Sequence, residues 1–334
     1  MDAPHIERQR PEGPPMDTAT TPAALPGGDG LAIRRANFPD VVAFHAPGLR
    51  RYRTSEFDTH DPGEFISISL TGQSCALDCE HCKTEVLKTM TPLPQAEGSL
   101  FTLCARAAEN GARGVLISGG CDSRGRVPLM RHIPDLLRVR QELGLKLRVH
   151  PGLPDPETCA ALGEVGLDGA MVDIIGHEDT IREVYHLDAA PEDYGAMLAE
   201  LARHGVPAVP HIVLGLHYGR FLGEWRALEM IAAHPLKLLV LVVLMPLSGT
   251  TMADAAPPPL EQVGAFFELA RQRLPAIPIM LGCARPMGAY KQAVDRMAID
   301  AGFNGIAYPA QGIVEYARQK RLQPEFYNSC CGVV

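Results

Sequence analysis

From residue 63 onward, short apolar or β-branched runs alternate with longer stretches whose apolar positions recur at helical spacing. A period of two marks a strand and a period near 3.6 marks a helix. The pattern predicts eight strands: Phe65–Leu70, Gly114–Ser118, Lys146–His150, Gly169–Ile174, Val209–Leu214, Leu238–Leu244, Pro278–Leu281 and Gly305–Ala307. Turns rich in Gly, Pro or Cys follow the first seven, and helices follow the turns, among them Ser99–Asn110, Val127–Leu143, Asp155–Val165, Pro191–His204, Gly223–His234 and Leu260–Leu274. Strands that alternate with helices imply right-handed crossovers and a parallel sheet. Eight of them predict an α/β fold, a (β/α)8 barrel of TIM type, complete or nearly complete. An open doubly wound sheet is the alternative arrangement of the same elements.

Outside the barrel, 63–310, three segments differ in character. Residues 1–30 are rich in Pro, Gly, Asp and Thr without periodicity, which predicts a disordered tail. Residues 31–62 predict an ordered extension packed on the barrel, and residues 311–334 a C-terminal segment that brings Cys330 and Cys331 toward its mouth. The chain has 334 residues, 46% of them apolar, enough for a large core. Net charge is −8 and no run of Lys and Arg suggests a phosphate track, which argues against a nucleic-acid partner. The longest apolar run, 236–245, is strand-sized and too short to span a bilayer. Nine cysteines on a large globular chain read as ligands or buried thiols, and the expected location is the cytoplasm.

The cysteines carry the chemistry. Cys75, Cys79 and Cys82 follow the first predicted strand with spacing C-x3-C-x2-C. Three thiolates on one loop suit three corners of a [4Fe–4S] cube and leave its fourth iron open to a small chelating molecule. A structural zinc site wants four ligands, commonly in two pairs, and fits this triplet poorly. Cys121 follows the second strand, Cys283 the seventh, and Cys330 and Cys331 lie in Asn328-Ser-Cys-Cys-Gly332. Active sites of such barrels collect at the C-terminal ends of strands, so these cysteines sit at, or within reach of, one mouth. Cys104 and Cys159 fall within predicted helices and read as small buried hydrophobes.

The triplet on the first strand of a barrel-like chain resembles the radical S-adenosylmethionine (SAM) enzymes. That resemblance implies a [4Fe–4S] cluster on Cys75, Cys79 and Cys82 with SAM on its open iron, and a barrel of radical SAM type. It gives His81, before the third cysteine, a place beside the adenine, although an aromatic residue is more usual there. Ser118, Gly119 and Gly120 correspond to the glycine pair that lets backbone approach the methionine amino group, a role that suits residues without a side chain. Cys121 stands where the family often has Glu. Asp173 is the candidate for the SAM ribose and Arg182 for its carboxylate, though a structural Asp and a surface ion pair explain them equally. Gly215 lies in a turn like those that border the adenine. His150 and His211 read as interior residues satisfied in the core.

Residues 31–334 look like a biotin-synthase-like radical SAM protein, nearest the two-component, archaeal-type lipoyl synthase group. Phe44-His-Ala-Pro-Gly48, Ile117-Ser-Gly-Gly-Cys-Asp122, Gly282-Cys-Ala-Arg-Pro286 and Ser329-Cys-Cys331 carry the likeness. It implies sulfur insertion into an octanoyl group on a lipoyl-domain or H-protein-like carrier, with a paralogous radical SAM partner and a reducing electron donor. It also implies a second, auxiliary Fe–S cluster on Cys121, Cys283 and one or both of Cys330 and Cys331, with Arg285 or Ser329 as further ligands. The chain departs from ordinary lipoyl synthases, having no cysteine before Cys75. The alternatives are a mutase or a metal-cofactor maturase without sulfur transfer, and a non-catalytic Fe–S or zinc protein.

Overall fold

The computed structural model describes residues 29–46, 52–58, 62–95 and 98–332. The expected tail therefore lies almost wholly outside the described residues. Its last positions are ordered, because Asp29 caps helix α1 (Gly30–Asn37) by accepting a hydrogen bond from the Ala32 N–H. Strand β1 (Val41–His45) follows.

The barrel begins with β2 (Phe65–Ser69), and a short β3 (Thr91–Pro92) lies beside it. Then come α2 (Leu100–Glu109), β4 (Gly114–Ser118), α3 (Ile133–Glu142), β5 (Lys146–Val149), α4 (Pro156–Val165) and β6 (Gly169–Asp173). After α5 (Glu178–Val184) and α6 (Pro191–Arg203) the alternation resumes with β7 (Ala208–Leu214), α7 (Glu224–Ala232), β8 (Leu239–Val243), α8 (Leu260–Arg273) and β9 (Ile279–Leu281). It ends with α9 (Ala289–Asp300), β10 (Gly305–Ala307), α10 (Ile313–Gln319) and β11 (Gln323–Tyr327).

All eleven strands form one parallel sheet in the order β11-β1-β10-β9-β8-β7-β6-β5-β4-β2-β3. The sheet curls into a nearly complete barrel. It does not close by hydrogen bonds, since β3 and β11 are its two edges. The eight predicted strands are all present. The segment expected to pack on the barrel sets α1 against α8 and α9 and also enters the sheet, with β1 between β10 and β11. β11 contains Pro324, which lacks an N–H and is tolerated at a sheet edge.

Strand β8, Leu-Val-Leu-Val-Val, is buried along its whole length because both faces are covered. Leu239, Leu241 and Val243 join the main core between sheet and helices. Val240 and Val242 face the barrel interior with Met171, Val209, Leu238, Met280 and Ala307. Cys331 packs into that same interior cluster. Outside, Phe266, Phe267 and Phe303 are fully buried, each contributing about 1.5–3 kcal/mol by removal from water. Cys104 and Cys159 are likewise fully buried, on α2 and α4. Among the described residues no helix is long and apolar enough to cross a membrane.

Candidate functional site at the barrel mouth

The loop after β2 is zipped to the loop after β4. Leu70 N–H donates to the Ser118 carbonyl at 2.8 Å, and Ala76 N–H to the Cys121 carbonyl at 2.8 Å. Gly120 N–H donates to Thr71 Oγ1 at 2.7 Å, and Cys121 N–H to Cys75 Sγ at 3.3 Å. Gly120 must be glycine for this approach, as a Cβ there would stand 1.9 Å from the Ser74 carbonyl oxygen. Further along, Cys82 N–H and Lys83 N–H both donate to the Cys79 carbonyl, winding the loop so that the second and third cysteines turn inward. Asp78, Lys83 and Thr84 take left-handed backbone angles in this turn.

A cavity of about 300 Å³ opens at this mouth. Cys75, Cys79 and Cys82 line it together with His81, Ser118, Gly119, Gly120, Cys121, His150 and Asp173. Leu77, Val86, Leu87, Met90, Leu153 and Leu187 make most of the remaining wall apolar. Burial, and then the neighbouring thiols Cys75 and Cys82, push the Cys79 thiol far up. Burial also raises Cys82, and it pushes Cys121 up to about 12 with help from Cys75. The desolvated Cys79 and Cys82 thiols resist becoming thiolates on their own, and bound iron would remove that penalty. Among the described residues no three His, Cys, Asp or Glu side chains are arranged for a single metal ion.

The polar wall opposite is also built. His81 is partly buried, its buried Nδ1 has no hydrogen-bond partner among the described residues, and desolvation drives the ring down to about 4. Its ring lies 5.1 Å from that of Tyr185. The Tyr185 hydroxyl donates to Asp173 Oδ2 at 3.4 Å, and His150 Nε2 stands 3.9 Å from the same carboxylate. His211 Nδ1 donates to the Val209 carbonyl at 2.9 Å, and burial holds this ring near 4, hence neutral at physiological pH. A neutral imidazole, a carboxylate and exposed glycine backbone suit the polar parts of a nucleoside and an amino acid. Reach into this wall from Tyr185 and Tyr194 was not legible in sequence, since both follow strand β6 without a recognisable motif.

Other expected residues lie elsewhere. Arg182 is exposed on α5 and paired with Asp179 and Glu183, away from the cavity. Gly215 is also outside it: its N–H donates to buried Glu224 at 2.9 Å, and Pro258 covers its Cα. Burial raises Glu224 to about 7, against the pull of these backbone donors.

The proposed second ligand set divides. Cys121 belongs with the triplet, its electrostatic neighbours being Cys75, Asp122, Asp173 and Cys82. Cys331 instead neighbours Cys330, Cys283 and Arg285. Cys121 is fixed there because its backbone is already committed to Cys75 and Ala76. Arg285 is fully buried and spent: Nε donates to Asp295 at 2.5 Å, Nη1 to the Gly282 carbonyl, and Nη2 to the Ala307 and Tyr308 carbonyls. It ties sheet to α9 and has no coordination left to offer. Ser329 backbone lies against buried His45, whose ring stacks on Tyr327 at 5.1 Å and helps seat β11.

No protein-family model matches the chain. Biotin synthase 2 of Polaromonas sp. strain JS666 is 25% identical over 301 residues, covering 84% of this chain and 80% of that protein. Among solved structures, methylornithine synthase (PylB) superposes with a TM-score of 0.57 at 13% identity, over 89% of this chain and 87% of its own. The FeFe-hydrogenase maturase HydG of Carboxydothermus hydrogenoformans also gives 0.57 at 13% identity, over 89% of this chain and 70% of its own. At such identities the structures establish a shared fold. The curated relative and that fold together support a radical SAM enzyme. The chain is thus similar to biotin synthase 2 in sequence and to these enzymes in fold.

Proposed function

We propose that the protein inserts sulfur into an unactivated aliphatic chain, as one component of a lipoyl synthase acting on a protein-bound octanoyl group. The observation that carries this reading is the presence of two thiol groups in one barrel. One lines the mouth cavity, and the other, Cys330 and Cys331, runs into the interior, where Cys331 is 3% exposed. A cluster on Cys75, Cys79 and Cys82 with SAM supplies, when bound, a 5′-deoxyadenosyl radical able to take hydrogen from an aliphatic C–H bond.

The chain's own residues do the rest. The Ser118-Gly119-Gly120 turn presents backbone to the amino acid moiety, Asp173 serves the ribose, and His81 with Tyr185 flanks the base. The leucine and methionine wall excludes water and accepts an alkyl chain. Cys283, Cys330 and Cys331 hold the sulfur centre, in this reading an auxiliary Fe–S cluster without Cys121. The partners are an octanoylated lipoyl-domain or H-protein-like carrier, a paralogous radical SAM protein and a reducing electron donor. A second reading, a mutase or metal-cofactor maturase without sulfur transfer, draws support from the loss of Cys121 from the second set.

An anaerobic reaction with SAM, dithionite and an octanoyl-lysine peptide, read by mass spectrometry, tests the proposal. Thiolated peptide together with 5′-deoxyadenosine is the expected result. 5′-Deoxyadenosine without thiolation rejects sulfur insertion in favour of the second reading, and neither product rejects radical chemistry altogether.

A further inference from the structure

Helix α5 ends at Val184, and the chain then turns through Tyr185, His186 and Leu187. Tyr185 and Leu187 line the mouth cavity, whereas His186 lies with Leu187 on a polar groove beside it. His186 takes a φ of +56°, in the left-handed region, just past the Tyr185 cap. Glycine is the usual residue at such a place, because a Cβ strains that backbone. A histidine there is held by what its ring touches.

Both ring nitrogens are engaged, and both partners belong to the loop that carries the three cysteines. Nδ1 donates to the Leu77 carbonyl at 3.1 Å, and Nε2 stands 2.9 Å from Glu80 Oε1. The backbone adds a third tie, from the Glu80 N–H to the Val184 carbonyl at 2.9 Å. Glu80 is fixed in turn by Lys83 Nζ at 3.1 Å, and by the Thr251 hydroxyl, which donates to the Glu80 carbonyl at 2.9 Å from the loop after β8. Segment 184–186 is thus pinned to 77–80 on both flanks of Cys79, and Tyr185 lies inside the pinned stretch. Its ring faces His81 at 5.1 Å and its hydroxyl donates to Asp173 at 3.4 Å. A wall fixed in advance binds a ligand without the cost of ordering it.

We propose that His186 is the clasp that sets the wall of Tyr185 and His81 against the three-cysteine loop, and that it thereby tunes the affinity for SAM. This rests on the placement of the SAM base against that wall, and not on sulfur transfer. His186 is a positioning residue, acting through Tyr185.

The test measures SAM affinity by equilibrium dialysis of labelled SAM, without reductant, on anaerobically reconstituted full-length protein. His186→Gly accepts the left-handed backbone and removes both ring contacts. It should weaken SAM binding about tenfold and keep the iron content of wild type. In turnover its KM for SAM should rise about tenfold, with kcat within about twofold of wild type. His186→Gln, whose amide can still donate to one partner, should fall between the two. Far-UV circular dichroism checks folding, and Glu80→Gln, which leaves His186 in place and weakens its partner, serves if the glycine variant does not fold. Wild-type affinity in the folded variant overturns the clasp and leaves the SAM placement standing. Loss of iron in that variant also overturns it, since the contacts would then serve the cysteine loop and not the wall. No SAM binding by iron-loaded wild type overturns both the placement and the clasp.

Discussion

The two thiol groups of this barrel are built in opposite ways. The mouth triplet sits on one contiguous loop, and backbone hydrogen bonds to the neighbouring loop shape it. The second group gathers Cys283, exposed beyond β9, with the partly buried Cys330 and the buried Cys331 from beyond β11. The environments differ accordingly. Burial raises Cys79, Cys82 and Cys121, whereas the Cys331 hydrogen bond, the Gly332 N–H and Arg148 bring Cys330 down to about 7. A local loop can make a ligand set from spacing alone. A set drawn from distant strands depends on the sheet that carries them.

Three changes sharpen or break that contrast. Cys79→Ala removes a corner of the mouth set, and SAM cleavage should fall by about a thousandfold or more, with about four irons lost per chain. Cleavage near the wild-type rate, measured by 5′-deoxyadenosine formation, would exclude the triplet as the cluster site. Asp295→Ala strips the buried partner from Arg285 and should cost about 3–5 kcal/mol in denaturant unfolding. A loss below about 1 kcal/mol would mean that Arg285 is free for another task, ligation included. Cys121→Ala, finally, should slow SAM cleavage by about tenfold and leave the iron and sulfide content unchanged, since the side chain shares the mouth cavity. Loss of second-centre sulfur with normal cleavage would return Cys121 to the interior set.

Sequence pattern reached the eight barrel strands because most have a run of β-branched or aliphatic residues, and the strand–helix rhythm places the shortest, Gly305–Ala307. It missed β1 and β11 for physical reasons. Val-Val-Ala-Phe-His lies outside the strand–helix rhythm that starts at residue 63, and Gln-Pro-Glu-Phe-Tyr carries a proline that argues against a central strand. At the site, the loop-borne residues were legible: Cys75, Cys79, His81, Cys82 and the Ser118-Gly-Gly120 turn share one cavity. Residues placed by strand-end position alone divided. Asp173 points into the cavity, while Gly215 turns its N–H to Glu224 and Arg182 faces outward. Cys121 was assigned to the wrong neighbours because sequence gives its strand but not the loop against which its backbone is sewn.

The placing of β1 between β10 and β11 has a consequence for biogenesis. Among the described residues, the edge strand that leads into the cysteine pair is paired only with a segment synthesised long before it, and that segment is itself held by β10. Closing contacts between such distant stretches is slow and comes late in folding. The segment carrying Cys330 and Cys331 is therefore expected to be among the last parts of the molecule to settle, after the mouth loop has taken shape.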